Sequence, residues 1–229
     1  MENLLFQYMQ NRFLEPQEIK RCGPFPFVTI SREFGCPSKV IAQMLAETLN
    51  KRQGKARTPK WISINKEIVE ESARKLELEP VKLKHIFGAE EKGVMDDVLA
   101  SFSSNYKSNS RIKKTIQDVI RTFAQKGYVI IVGRGGVAIT HDCPKSLHIR
   151  IQAPVDWRIQ EVANHYNVTK SIAHKMILET DKKRSSLIEI FLGHGLENSL
   201  FDVILNCKTL PKEDIVNTII YMMELKEMI

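Results

Sequence analysis

The stretch VTISREFGCPSK, residues 28 to 39, decides the fold, and the run from Val40 to Leu49 follows it directly. The apolar, β-branched residues at its start predict a buried strand. A polar loop comes next, and the apolar residues of the following run recur at helical spacing on one face. Because a helix N-terminus and a lysine both attract anions, a strand, a tight loop and a helix beginning near Lys39 are typical of a phosphate-binding loop.

This loop departs from the strict pattern G-x-x-x-x-G-K-[ST]. Glu33 stands at the first glycine, Ser38 at the second, and Val40 at the hydroxyl residue that would bind magnesium. Pro37 lacks a backbone N–H and so removes one donor from the loop. An ordinary strand-to-helix turn with one surface lysine therefore stays open as the alternative.

The composition is that of a globular protein and excludes only some classes of function. The chain has 229 residues, 43% hydrophobic and 27% charged, long enough for one large α/β domain. Its formal net charge of +7 suits a phosphate-bearing ligand. Nucleic-acid binding would rest only on this charge and on the basic cluster between Lys51 and Arg57, and we do not expect it.

The cysteines predict reduced thiols in a cytoplasmic protein. The four cysteines have no paired metal-ligand spacing, so we expect neither a disulfide framework nor a zinc site and assign no metal ligand. No apolar run reaches the length of a membrane span, and the N-terminus lacks the charge pattern of a signal peptide. The four positions are Cys22, Cys36, Cys143 and Cys207.

Predicted strands alternate with predicted helices along the chain, which indicates an α/β fold with a parallel sheet. Residues 1–26 are predicted to form an N-terminal helical extension, because apolar residues there have helical spacing. Its apolar face either packs on the protein or forms a docking or homodimer contact. Further strands are predicted at residues 61–64, 128–132, 147–151 and 201–206.

The strand at residues 128–132 is a continuous β-branched run, as expected of a strand that is buried on both faces. It leads into Gly133, Arg134 and two further glycines. Ligands of open α/β sheets bind at the carboxyl ends of the strands, and glycines let the backbone approach a ligand. We therefore favour a binding role for Arg134 over a solvated turn.

Asp181 and Arg184 are three residues apart in a strongly helical segment, so they share a face. The simplest interpretation is an exposed ion pair. The alternative is a mobile lid that brings cations onto a transferring phosphoryl group. A polar segment from Phe87 to Ser110 is either a surface loop or an insert that closes over a substrate.

In their order and spacing, these pieces resemble the cytidylate kinase-like family, a branch of the nucleoside monophosphate kinases with the P-loop fold. The resemblance covers about residues 27 to 225. The segments that carry it are residues 30–35, 65–67, 90–92, 129–135, 153–158, 180–184 and 201–206.

The resemblance implies a three-layer P-loop kinase-like domain over residues 27–229. Its central parallel sheet is flanked by helices, with a helical monophosphate-binding insert at about 62–125 and a lid at about 158–197. It further implies magnesium-dependent phosphoryl transfer from ATP to a pyrimidine nucleoside monophosphate, CMP or dCMP.

The resemblance also assigns roles to single residues. Asn65 and Arg134 would bind the acceptor nucleotide, and the arginines would hold phosphates bidentately. The donor phosphates would be held by Ser31, Arg32, Gly35, Cys36, Ser38 and Lys39. Catalysis would rest on Lys39, Arg134, Arg158, Asp181 and Arg184.

Several positions depart from the family pattern. Residues 36–38 replace a Ser-Gly-Gly run, Asn65 replaces an Asp, and Gly135 replaces the Asp of a Gly-Arg-Asp motif. The lid segment has Gly193-His-Gly-Leu196 in place of a Gly-x-x-Trp pattern. The alternative function is therefore a catalytically weak nucleotide-binding or regulatory protein on the same scaffold.

Overall fold

A computed structural model describes residues 22–54, 59–76 and 109–229 of the chain. Five strands form one sheet in the order β2-β3-β1-β4-β5, and every neighbouring pair is parallel. The strands are β1 (Phe27–Arg32), β2 (Ile62–Ile64), β3 (Val129–Val132), β4 (Ser146–Gln152) and β5 (Val203–Asn206). The helices are α1 (Ser38–Gln53), α2 (Lys66–Leu76), α3 (Asn109–Lys126), α4 (Gly136–Thr140), α5 (Val155–Tyr166), α6 (Lys170–Leu192) and α7 (Lys212–Leu225).

The sheet is buried on both faces, as the β-branched strand sequences predict. On β1, Val28 and Ile30 pack in a cluster with apolar residues of α1 and α7. Phe27, one position out of phase, packs in the opposite cluster with residues of α2 and α3. Because successive side chains along a strand point to opposite faces of the sheet, each face has its own hydrophobic core. The fold therefore has three layers, with helices on both sides of the sheet.

Helix ends follow local signals in the sequence. Thr169 caps α6, because its hydroxyl accepts a hydrogen bond from the Ile172 N–H. The helix ends at Gly193, whose φ of 83° is a left-handed conformation that favours glycine. Helix α3 also ends at a glycine, since Gly127 has φ 67° and its N–H bonds back to the Phe123 carbonyl.

The α/β class, the parallel sheet and each strand predicted after residue 26 are confirmed, with ends shifted by one or two residues. The short helix α4 was not predicted. The N-terminal helix with its dimer alternative and the end of the basic cluster, residues 55–57, lie outside the described residues. So does half of the predicted insert, residues 77–108, with nearly all of the polar segment from Phe87 to Ser110. Within the described ranges, no helix combines the length and apolarity that a membrane span requires.

The expectation that all four cysteines are reduced thiols is wrong for one pair. Cys22 and Cys143 form a disulfide, whose Cα atoms lie 5.3 Å apart. The two residues are 121 positions apart, so their spacing in the chain carries no sign of the pairing. The fold brings the segment before β1 against the turn after α4. Cys36 and Cys207 are free thiols.

A buried histidine joins β1 to β4 through polar contacts. His148 Nδ1 lies 2.7 Å from the Thr29 hydroxyl, and His148 Nε2 lies 2.9 Å from the Ser146 hydroxyl. The Ser146 hydroxyl donates its proton to the Cys143 carbonyl, so it accepts from Nε2–H. Burial is the main cause that lowers the pKa of His148 to about 4, against the opposing effect of Asp202.

We expect this histidine to make the protein sensitive to mild acid. The unfolded chain binds a proton with a pKa of about 6.5, whereas the folded chain does so only near 4. The stabilisation by the neutral imidazole is therefore complete above about pH 6.5 and is lost as the pH falls toward 4. The loss reaches about 3 kcal/mol.

The measurement compares the free energy of unfolding near neutral pH and at about pH 4.5 for the wild type and for His148→Gln. The difference between the two proteins removes the contribution of the carboxylates, which titrate in both. An NMR titration of the wild-type imidazole gives the pKa without a variant. An imidazole that titrates near its ordinary value would contradict the prediction.

Candidate functional site

An open cleft lies at the carboxyl ends of the central strands. The cleft together with the open solvent at its mouth occupies about 710 Å³, and residues of α6 line one side. Strand β1 contributes its last two residues, and the loop after it contributes Glu33. The loop after β3 contributes residues 133–135, and β4 contributes Arg150. The remaining lining residues are Asp181, Arg184, Ser185, Leu187, Ile188 and Leu196.

The cleft carries an excess of positive charge. Arg32, Arg134, Arg150 and Arg184 face two carboxylates, those of Glu33 and Asp181. Arginine keeps its charge at any physiological pH and presents a planar fork of donors. A cleft with these groups selects anions, above all phosphates and carboxylates.

At one end of the cleft Arg134 is held by Asn65. Its Nε donates a hydrogen bond of 2.7 Å to Asn65 Oδ1, and the Asn65 N–H bonds to Glu67 Oε2. The structure thus joins the two residues that the sequence predicted for acceptor binding. The amide oxygen of Asn65 accepts this hydrogen bond as a neutral group.

The loop after β3 has three successive left-handed residues, with φ of 71° at Gly133, 59° at Arg134 and 73° at Gly135. A Cβ on Gly133 would overlap the Arg32 guanidinium, and a Cβ on Gly135 would come within 2.7 Å of the Phe191 ring. An aspartate at position 135 would therefore be strained and would collide with α6. This explains the departure from Gly-Arg-Asp in terms of packing.

Residues 33–37 join β1 to α1, and we call them the β1–α1 loop. Arg158 lies beneath this loop and contacts several of its neighbours. Only 7% of Arg158 is exposed. Its Nε bonds to the Ala153 carbonyl and lies 3.3 Å from Glu33 Oε2, and its Nη1 bonds to the Phe34 carbonyl. The same Nη1 donates a 2.6 Å hydrogen bond to Asp181 Oδ2.

The carboxylate of Asp181 binds the β1–α1 loop and Arg158. Its Oδ1 accepts a 2.7 Å hydrogen bond from the Phe34 N–H, and its other oxygen is held by Arg158. Arg184 lies 4.0 Å from the same carboxylate, donates to the Arg32 carbonyl and stacks on the Phe34 ring. The Asp181 and Arg184 pair is therefore part of the cleft rather than a solvated surface pair.

The structure brings only some of the predicted donor-site residues together. Ser31 and Arg32 line the cleft, while the rest of the set lies outside its lining. Gly35 packs on α5, where a Cβ would come within 3.1 Å of Val162. Ser38 is buried and Lys39 is exposed, so α1 does not direct its lysine into the cleft.

Two charged residues of the cleft were not predicted from the sequence. Glu33 was read only as a missing glycine, yet its carboxylate bonds to the Ala153 N–H and pairs with Arg150 and Arg158. Arg150 carries a recognisable signal, because it is the one Lys, Arg, Asp or Glu in strand β4 and lies between two isoleucines. A charge near the carboxyl end of a central strand belongs at the edge where ligands bind.

The cleft fits a polyanion better than a metal held by the protein. Magnesium is usually bound by one or two carboxylates together with phosphates and water. Both carboxylates of the described lining are already paired with arginines. The described cluster of three possible metal ligands, Cys22, Asp142 and Cys143, lies away from the cleft and contains the disulfide.

Comparisons with known proteins agree on the fold. A sequence model described as the Cytidylate kinase-like family matches residues 27–209. A crystal structure of an uncharacterized protein from Eubacterium ventriosum is similar with a TM-score of 0.61 at 20% identity, covering 87% of this chain and 98% of that one. This likeness supports the fold alone. A search of curated proteins found no match.

Two shikimate kinase structures are more distant. The enzyme from Bacteroides thetaiotaomicron has a TM-score of 0.47 at 11% identity, covering 88% of this chain and 98% of its own. The enzyme from Acinetobacter baumannii, in complex with shikimate, has a TM-score of 0.48 at 12% identity, covering 90% and 97%.

Proposed function

The chain belongs to the cytidylate kinase-like family, and on that premise we propose that it transfers a phosphoryl group from ATP to a pyrimidine nucleoside monophosphate, CMP or dCMP. The observation that carries the proposal is the arginine-lined cleft at the carboxyl ends of the central strands. Phosphoryl transfer needs little covalent chemistry from the protein and depends on positioning and charge neutralisation. Convergent arginines supply both.

In this proposal the acceptor lies at the Arg134 end of the cleft. The guanidinium of Arg134, oriented by Asn65, holds the acceptor phosphate. That phosphate is largely ionised at neutral pH, since its second pKa is about 6. Its oxygen is therefore the nucleophile, and the reaction requires no general base from the protein.

The donor lies at the β1 side of the cleft, with Ser31 and Arg32 beside its phosphates. Arg184 neutralises charge on the transferring group, and Asp181 positions its guanidinium. Arg158 adds positive charge from its buried position beneath the loop and holds Asp181. The segment of about residues 158–197 acts as a lid that excludes water, which would otherwise accept the phosphoryl group. Magnesium, when bound, enters with ATP and neutralises phosphate charge, and we assign it no protein ligand.

The remaining parts of the proposal follow from the family. Residues 27–229 form the kinase-like domain, preceded by an extension over residues 1–26. The donor is an intracellular nucleotide, so the protein works in the cytoplasm with nucleotides as its ligands.

The test is an assay of purified protein with magnesium, ATP and a panel of nucleoside monophosphates. Release of ADP should depend on the acceptor, with CMP or dCMP fastest, and the phosphorylated acceptor should appear in equal amount. Omission of the acceptor is the control for ATP hydrolysis. If no acceptor leads to release of ADP, the kinase proposal is wrong.

The second candidate is a nucleotide-binding protein with little catalysis. One observation favours it: the Phe34 N–H, a donor of the β1–α1 loop, is bonded to Asp181. Pro37 removes a further donor from the loop. This candidate predicts that a nucleotide raises the melting temperature by mass action while no product forms.

We expect Lys39→Ala to weaken ATP binding moderately. Lys39 is exposed and outside the cleft lining, so it acts on donor phosphates as a partly screened point charge. The KM for ATP should rise by about tenfold, because one phosphate contact of this kind is worth about 1.4 kcal/mol.

The matched control is Lys60→Ala, which also removes an exposed lysine and should leave the KM for ATP unchanged. Steady-state kinetics with varied ATP measure both. An unchanged KM for ATP in Lys39→Ala would show that this lysine does not interact with the donor phosphates.

A further inference from the structure

The two free cysteines meet at the outer end of the sheet. Cys36 is in the β1–α1 loop, and Cys207 follows the last residue of β5. Both positions are tied to the end of β4: the Glu33 N–H bonds to the Ile151 carbonyl, and the Cys207 N–H bonds to the Gln152 carbonyl. Both side chains are half-buried and pack against the same hydrophobic core cluster.

The two thiols are close enough that each shifts the pKa of the other, and the main cause is a hydrogen bond between their side chains. This bond lowers the pKa of Cys207, whose sulfur accepts it, and raises the pKa of Cys36, which burial raises further. Arg158 lowers the pKa of both thiols, and Glu33 raises it. Cys207 is therefore the more nucleophilic sulfur, because the thiolate is the reactive form.

We propose that Cys36 and Cys207 form a reversible oxidation site, at which a peroxide converts the two thiols into a disulfide that ties the β1–α1 loop to the end of β5. The geometry supplies the two requirements of such a site. One sulfur is a nucleophile that is partly open to solvent, and a second half-buried thiol packs beside it on the same core cluster and can resolve the product.

The chemistry proceeds in two balanced steps with hydrogen peroxide as the oxidant. The Cys207 thiolate attacks one peroxide oxygen, so that an S–O bond forms, the O–O bond breaks, and hydroxide leaves and is protonated to water. Cys36 then attacks the sulfenic sulfur, so that the S–S bond forms and the S–O bond breaks. The second water carries away the Cys36 proton, and a thiol reductant reverses the reaction.

The disulfide would act on the site through the loop that carries Cys36. Phe34 and Gly35 precede this cysteine and hold the contacts to Asp181 and α5. A covalent tie to β5 restricts the movement by which the loop would exchange Asp181 for a phosphate. This consequence rests on the proposed function, whereas the oxidation itself does not.

The experiment maps disulfides by mass spectrometry before and after treatment of the full chain with hydrogen peroxide. Before treatment, Cys36 and Cys207 should react with an alkylating reagent while Cys22 and Cys143 are linked. After treatment the mass should fall by about 2 Da, the mass of two hydrogens. A peptide linking Cys36 to Cys207 should then appear and should vanish on reduction.

Two variants separate the roles of the sulfurs. In Cys36→Ser, Cys207 should remain a sulfenic acid that a dione reagent traps. In Cys207→Ser, Cys36 should be oxidised at least about tenfold more slowly than Cys207 is in Cys36→Ser. Equal oxidation rates, or the absence of a Cys36–Cys207 peptide in the wild type, would overturn the proposal, and the wild-type map needs no variant to fold.

A measurement of ATP binding distinguishes the failure of this inference from the failure of the proposed function. The Kd for ATP, measured by thermal shift, should rise at least about fivefold on oxidation. An unchanged Kd would refute the effect on the loop. If the reduced protein fails to bind ATP while the disulfide forms, the proposed function fails and the oxidation site stands.

Discussion

Arg158→Ala is expected to lower the free energy of unfolding by about 4 kcal/mol, since removing one partner of a buried ion pair leaves uncompensated charge. Arg158 is almost fully buried, and it bonds to two backbone carbonyls and pairs with Glu33 and Asp181. Its loss would remove one donor from each of the two carboxylates and from the Ala153 and Phe34 carbonyls. Chemical denaturation with a linear extrapolation measures the change.

The matched control is Arg52→Ala. Arg52 donates a 2.7 Å hydrogen bond to Glu224, but the two side chains are 51% and 48% exposed. An exposed pair of this kind contributes about 0 to 1 kcal/mol. If Arg158→Ala and Arg52→Ala lower the free energy of unfolding equally, the buried contacts of Arg158 do not stabilise the fold more than an exposed ion pair does.

Arg158→Lys tests whether charge alone suffices. A lysine keeps the positive charge and lacks the planar fork that reaches several acceptors at once. We expect a stability between that of the wild type and that of the alanine variant. Full recovery by lysine would reduce the role of Arg158 to a point charge.

Arg134→Gly is expected to lower kcat/KM for phosphoryl transfer by about a thousandfold, since one preorganised donor to developing charge is worth about 3 to 4 kcal/mol. Glycine is the informative substitution here because Arg134 has φ 59°, a region that glycine tolerates better than arginine. Relief of this backbone strain offsets the lost hydrogen bond to Asn65. The variant should therefore lose activity while its melting temperature stays within a few degrees of the wild type.

Asn167→Gly is the matched control for the backbone. Asn167 also has a left-handed φ, 52°, and it ends α5 outside the cleft lining. This variant should keep full activity. If Arg134→Gly retained more than about a third of the wild-type kcat/KM, the acceptor role of Arg134 would be wrong.

The fold was largely predictable because its signals are local. The run Val129–Val132 is apolar at every position, which requires burial on both faces, and the glycine after α3 marks where that helix ends. Alternation of strands and helices then leads to a parallel sheet. Helix α4 escaped prediction because its five residues are too few to show helical periodicity.

The candidate site was only partly predictable. Asn65 and Arg134 were chosen separately, and the sheet order that places β2 beside β3 lets them bond. The prediction of a phosphate-binding loop relied mainly on Lys39, yet the side chain of this lysine is exposed. The pattern of a phosphate-binding loop cannot show which way a side chain turns, since this depends on how α1 packs.

The sequence by itself determined the order of strands and helices and the burial of the sheet, because those follow from which residues are apolar and at what period. Only the tertiary structure decided the partners of Arg158, Asp181 and Glu33 and the pairing of the cysteines. These contacts join positions that are far apart in the chain. Their energies depend on distance, burial and direction, none of which is written in the spacing of residues along the sequence.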